Sequence, residues 1–178
     1  MSEERSKAVS GVHFGPEPVA FGRRLAASDA FRAMFREGMA LVEETATYLD
    51  GEGRRESHQL ARAVSLAYAT ESMRLTTRLM QLASWLLLQR AVNEGDLSVD
   101  QANHERAKVK LGGLSTATEG SIWNELPLRL RALIDRSLRL QERVVRLDDA
   151  LRNDSGSYAV ENGVLQAQTR IADAFSGK

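Results

Sequence analysis

Residues 68–96 read YATESMRLTTRLMQLASWLLLQRAVNEGD. From Met73 to Val92 there is no Gly, Pro or acidic residue, and the apolar side chains fall on more than one face of a helix. A helix that is apolar nearly all round is a membrane span, a buried central helix, or a helix with two partners. The most apolar run, Leu79 to Leu88, includes Gln81 and is about half the roughly 20 residues a bilayer requires. The membrane option therefore fails.

What remains is a helix with two seams. One reads Val64, Tyr68, Glu71, Leu75, Leu79, Leu82 and Leu86; the other carries Leu66, Met73, Met80 and Leu87, seven residues apart. Helices of the same chain can cover one seam, and the other is open to a third helix or a second subunit. No breaker stands between Arg54–Ser57 and Gly95, which predicts one helix of roughly 39 residues, roughly 58 Å long.

Working outward, Ser28 is a good N-cap with Asp29 in the first turn. Positions 31, 35, 38, 42, 45 and 49 then alternate steps of four and three, the seam of a helix packed along another. Gly38 lies on that seam, at a cost of about 1 kcal/mol against Ala; a close helix neighbour and a tolerated surface glycine both explain it. Asp50-Gly51-Glu52-Gly53 ends this helix. Beyond Gly95, Ser98 and Gln101 fit a capping box, followed by a short polar helix to Leu111, and Gly112-Gly113 opens a loop. The last strong helix is expected to start between Ser121 and Pro127 and to end at Asn153–Ser157. Its seam of Leu126, Leu130, Leu133, Ser137, Leu140, Val144, Leu147 and Leu151 has one polar member, Ser137. No stretch reads as a strand. The expected fold is all-α, a three-helix bundle with one long central helix. An arm (1–19) precedes the bundle domain (20–153), and a flexible or docking tail (154–178) follows it.

Composition narrows the function. The 178 residues are 43% hydrophobic and 27% charged, which suits one globular domain. Basic and acidic residues number 24 each, and that balance argues against nucleic acid. The cations are nearly all Arg, which pairs bidentately with carboxylates. With no cysteine, thiolate metal sites, disulfides and a Cys nucleophile are excluded, and a cytoplasmic setting is compatible. The charged start lacks the apolar run of a signal peptide.

Chemistry is scarce. His13, His58 and His104 lie in the arm, at a helix start and on a polar segment, without the Glu-x-x-His or H-E-x-x-H spacing of metal sites. No phosphate-cradling loop is present, so no catalytic, cofactor or metal residue is nominated. Glu71 stands out on an apolar seam and needs a cation such as Arg74 or Arg78. Thr76 and Thr77 are read as bonding to their own backbone. Met73, Met80, Trp85 and Leu87 are assigned to a dimer or bundle core. Arg136, Arg139, Arg143 and Arg146 on the last helix, with Leu165, Ile171 and Phe175 in the tail, are the candidate protein-binding residues.

EGMALVEETATYLDG at residues 37–51, together with residues 68–96, resembles signature stretches of the RcdA family, the regulators of CtrA degradation. The likeness is close over roughly 31–111 and looser over the last helix. It implies a dimerising, non-enzymatic helical bundle with no cofactor. Such a protein serves as an adaptor that helps deliver CtrA and other substrates to the ClpXP protease, with other adaptors, in a cytoplasmic and often polar assembly. Two rivals remain: a DNA-associated helical regulator, and a small-molecule-binding bundle with a polar pocket at Glu71 and Arg74.

Overall fold

A computed structural model describes residues 21–113 and 120–176, with backbone alone at 21, 23 and 155–176. Among the described residues there are seven helices and no strand. They are α1 (Phe21–Ala26), α2 (Asp29–Asp50), α3 (Glu52–Ser57), α4 (Arg62–Glu94), α5 (Val99–Arg106), α6 (Ser121–Glu125) and α7 (Leu128–Ser176). The three long helices α2, α4 and α7 form the bundle.

The caps follow the residues that favour them. Ser28 Oγ accepts from the Phe31 N–H at the start of α2. Ser98 and Gln101 complete a reciprocal capping box on α5, and Gly95 closes α4 at φ 82°, a left-handed conformation that favours glycine. The first seam of α4, Val64 to Leu86, and the seam of α7 are as expected: every residue named for them is buried. On α2 the buried positions are Phe31, Met34, Gly38, Leu41, Thr45 and Tyr48. Phe35, Val42 and Leu49, expected on the seam, are only half-buried, because this helix turns one broad face to α4 and α7 together. Gly38 is a close-approach site: a Cβ there would stand 2.7 Å from Leu86 Cδ1 and 3.4 Å from Leu140 Cδ2.

Four boundaries differ from the expectation. The long helix does not run from Arg54–Ser57. Residues 52–57 form a separate turn of helix, tied back by Tyr48 Oη donating to Glu56 Oε2 at 2.7 Å. Ala61 then takes an extended ψ of 150° and α4 begins at Arg62; its 33 residues span about 50 Å. The last helix starts in two pieces, since Leu126 precedes Pro127 and is forced extended (ψ 147°) between α6 and α7. It continues through Asn153–Ser157 to Ser176, as nothing in that polar run breaks a helix the way Pro would. Finally, α1 precedes Ser28, where no helix was expected, and packs on α7. Gly22 makes that possible: a Cβ there would come 2.8 Å from the Ala150 carbonyl carbon.

Directions follow from the contacts. Along α7, Arg129, Arg136 and Arg143 pair with Glu52, Glu44 and Glu37 at 2.6, 2.6 and 2.8 Å. As one series rises the other falls, so α2 and α7 are antiparallel. By contrast Arg78 meets Ser137 and Trp85 meets Asp148, so α4 and α7 run the same way. The segment between them must return along the bundle, and Gln141 Nε2 donates to the Leu111 carbonyl on that path. Phe31, Leu41, Leu75, Leu82, Leu86, Leu130, Leu133 and Leu140 form the centre of the core, each stabilising the fold by about 1.5–3 kcal/mol on burial.

Candidate functional site

Two clusters of polar side chains are bonded together inside the bundle. Arg78 is wholly buried at the α4–α7 seam, where its Nη1 donates to Ser137 Oγ at 2.9 Å and Ser137 donates on to the Ile134 carbonyl at 2.7 Å. Ser137, the single polar member of the α7 seam, is thus the acceptor for a buried guanidinium. Burial pushes the Arg78 pKa down from its ordinary value; the Glu71 carboxylate acts the other way, and Arg74 lowers it further. Glu71 is buried, and its Oε1 accepts from Arg74 Nη1 at 2.6 Å. It finds the cation expected of it. Oε2 has no hydrogen-bond partner, so Glu71 is paired on one oxygen only. Thr76 and Thr77 donate to the carbonyls of Ser72 and Met73, each at 2.9 Å, the local bonding expected of them.

A second cluster holds α5 to the bundle. Trp85 is a core residue whose Nε1 donates to Asp148 Oδ1 at 2.8 Å, while Arg152 Nε donates to Asp148 Oδ2 at 2.8 Å. Arg106 reaches in from α5 to Gln89 Oε1 at 3.0 Å and Asn103 Oδ1 at 2.6 Å, with its guanidinium 6.0 Å from the Trp85 ring centre. Burial lowers the Arg106 pKa, the Asp148 charge raises it, and Arg152 lowers it. Sequence reasoning named Arg78 only as a possible partner of Glu71 and singled out none of Gln89, Arg106 and Asp148. The available signal was positional: Arg78 and Gln89 fall three residues after seam positions Leu75 and Leu86, and Asp148 adjoins Leu147.

These clusters neutralise buried charge; they do not set a nucleophile beside a base. His58 and His104 are exposed, and among the described residues no three His, Cys, Asp or Glu side chains gather to hold a metal ion. No helix of the described residues is long and apolar enough to cross a membrane.

The outer surfaces are more distinctive. Leu66, Met73, Met80 and Leu87 are 71, 69, 66 and 52% exposed on one face of α4, so the second seam has no partner within the described chain. Trp85, assigned with them to a dimer or bundle core, lies in the bundle core. Of the arginines, Arg136 and Arg143 are engaged by Glu44 and Glu37 of α2. Arg146 lies 3.9 Å from Glu142 and is mostly exposed, and Arg139 is exposed. The backbone of Leu165, Ile171 and Phe175 is helical, but their side chains, like all of His13 and the arm, lie outside the described residues.

Comparison with known proteins agrees with this architecture. A family model described as "Protein of unknown function (DUF1465)" matches residues 22–175. The crystal structure of RcdA from Caulobacter crescentus CB15 is similar at a TM-score of 0.58 with 52% identity, over 70% of this chain and 92% of that one. No curated protein sequence matches. Matched by the family model over almost all its length, and by RcdA over nearly the whole of that protein, the chain belongs to the RcdA (DUF1465) family.

Proposed function

We propose that this protein is a non-enzymatic, homodimeric adaptor of regulated proteolysis. It helps deliver cell-cycle regulators such as CtrA to the ClpXP protease together with other adaptors, in the cytoplasm and at the cell pole. The observation that carries this reading is the 52% identity to RcdA across 92% of that chain. An adaptor needs no reaction chemistry: tethering a substrate beside the protease raises its effective concentration. The interior is compatible with this reading, since its buried arginines Arg78 and Arg106 are tied to Ser137, Gln89 and Asn103.

Two surfaces divide the work. The Leu66–Met73–Met80–Leu87 face joins two copies, as a row of large apolar side chains on a soluble helix calls for a partner. The α7 arginines and the tail residues Leu165, Ile171 and Phe175 bind substrate and protease. Arg139 and Arg146 are the freer cations, because Arg136 and Arg143 already hold α2. The same ion pairs weigh against the DNA-binding rival, which needs uncommitted cations along one face. A pull-down comparing the full chain with one ending at Asp154 tests the tail: substrate and protease capture is lost on truncation, and unchanged capture refutes its role.

A further inference from the structure

A groove of about 550 Å³ runs between α1, α2 and α7. Its floor is Leu25, Phe31, Met34 and Leu147, and the charged residues lining it are Arg143 and Arg146. Carboxylates line none of it; the nearest acid partners, Glu37 and Glu142, sit outside. Arg143 is held by Glu37 at 2.8 Å, which fixes its position along the rim. Arg146 is 73% exposed and 3.9 Å from Glu142, and an exposed pair at that separation leaves its charge available. The groove exists because Gly22 lets α1 lie against the Ala150 backbone, bringing Leu25 across from Leu147. An apolar trough lined by no carboxylate, with Arg143 neutralised by Glu37 and the exposed Arg146 as its available cation, complements one kind of ligand: large apolar side chains flanked by carboxylates.

From this charge complementarity we infer that the groove seats a short acidic–hydrophobic segment of a protein partner, its apolar side chains on Phe31 and Met34 and a flanking carboxylate on Arg146. This rests on the adaptor reading for its biological sense and names the surface that reading leaves open. It also accounts for why two of the candidate arginines lie where apolar residues of α1 and α2 converge.

The test uses the full chain and three synthetic labelled peptides with one design: Leu-Phe-Leu flanked by two Glu on each side, the same centre flanked by Lys, and the Glu-flanked peptide with a Ser-Ser-Ser centre. Fluorescence anisotropy is expected to show the Glu-flanked apolar peptide binding at least tenfold more tightly than either control. Arg146→Glu should weaken it about tenfold or more, and Ala33→Trp, placed on the exposed edge of the groove, should abolish it. Both variants must keep the wild-type helical circular dichroism and melting midpoint. Equal binding of the Glu- and Lys-flanked peptides, no binding of any, or full binding by Ala33→Trp overturns the proposal. So does sedimentation showing that Ala33→Trp splits a dimer, because a second copy would then be the occupant. A ClpXP degradation assay separates this from the adaptor reading. If wild type stimulates degradation and both variants do so equally, the groove proposal falls and the adaptor stands. If wild type does not stimulate, the adaptor reading falls and the peptide titration still decides the groove.

Discussion

Arg78 and Ser137 are both fully buried, and the guanidinium donates to the hydroxyl at 2.9 Å across the α4–α7 seam. One is a charge inside an apolar helix face; the other is the single polar break in a leucine row. Each explains the other's place, and together they fix the register of two parallel helices. A buried donor that loses its acceptor costs about 1–3 kcal/mol. Ser137→Ala should therefore destabilise the protein by that amount in urea unfolding. Arg78→Met combined with Ser137→Ala should recover part of the loss, since an apolar replacement removes the buried charge as well. A Ser137→Ala variant as stable as wild type would show that the pair does not hold the seam.

Asp148 accepts from both the Trp85 indole and Arg152. Asp148→Ala strands the buried indole N–H and should cost about 1–3 kcal/mol, with a changed tryptophan emission maximum. Asp148→Asn keeps an acceptor and should cost less. Equal losses for the two would mean that the negative charge, through Arg106 and Arg152, matters more than the indole bond.

Gly22→Ala tests the docking of α1. The added carbon would stand 2.8 and 2.9 Å from the Ala150 carbonyl carbon and oxygen, and backbone cannot yield as a side-chain tip can. Helix propensity favours the change by about 1 kcal/mol. Amide hydrogen exchange should nevertheless accelerate across residues 21–26 while α4 stays protected. Unaltered exchange there would place α1 elsewhere in solution.

Met80 sits in the exposed α4 row. If the proposed dimer forms through this row, Met80→Glu should leave the melting temperature of the fold near wild type and convert that dimer to a monomer in sedimentation equilibrium. A charged residue buried without a partner at an interface costs several kcal/mol, while an exposed one costs little. A dimer that survives the substitution would locate the interface on another face.

The fold was readable where periodicity and caps agree. The seams of α4 and α7 could be written down residue by residue because leucine spacing alone fixes them, and Ser28, Gly95 and Ser98 marked the start of α2, the end of α4 and the start of α5. The breaks at residues 58–61 and at Leu126 were harder: the first depends on Tyr48 reaching Glu56, a tertiary contact, and the second on one proline displacing its neighbour. Helix α1 escaped notice because six residues with two arginines show no period; its docking rests on Gly22 meeting Ala150. The candidate surface was half legible. An exposed row at 66, 73, 80 and 87 shows in the spacing, but the groove needs Leu25 and Leu147 side by side. The arginines misled in part, since one sequence cannot tell a solvated Arg139 from an Arg136 that reaches Glu44.

Delivery to a protease is tested most directly by measuring CtrA loss with purified ClpXP and its other adaptors, with and without this protein at matched concentration. Addition of the protein should speed CtrA degradation several-fold while leaving the ATPase rate of the protease unchanged. No acceleration under any combination of adaptors would contradict the proposed function.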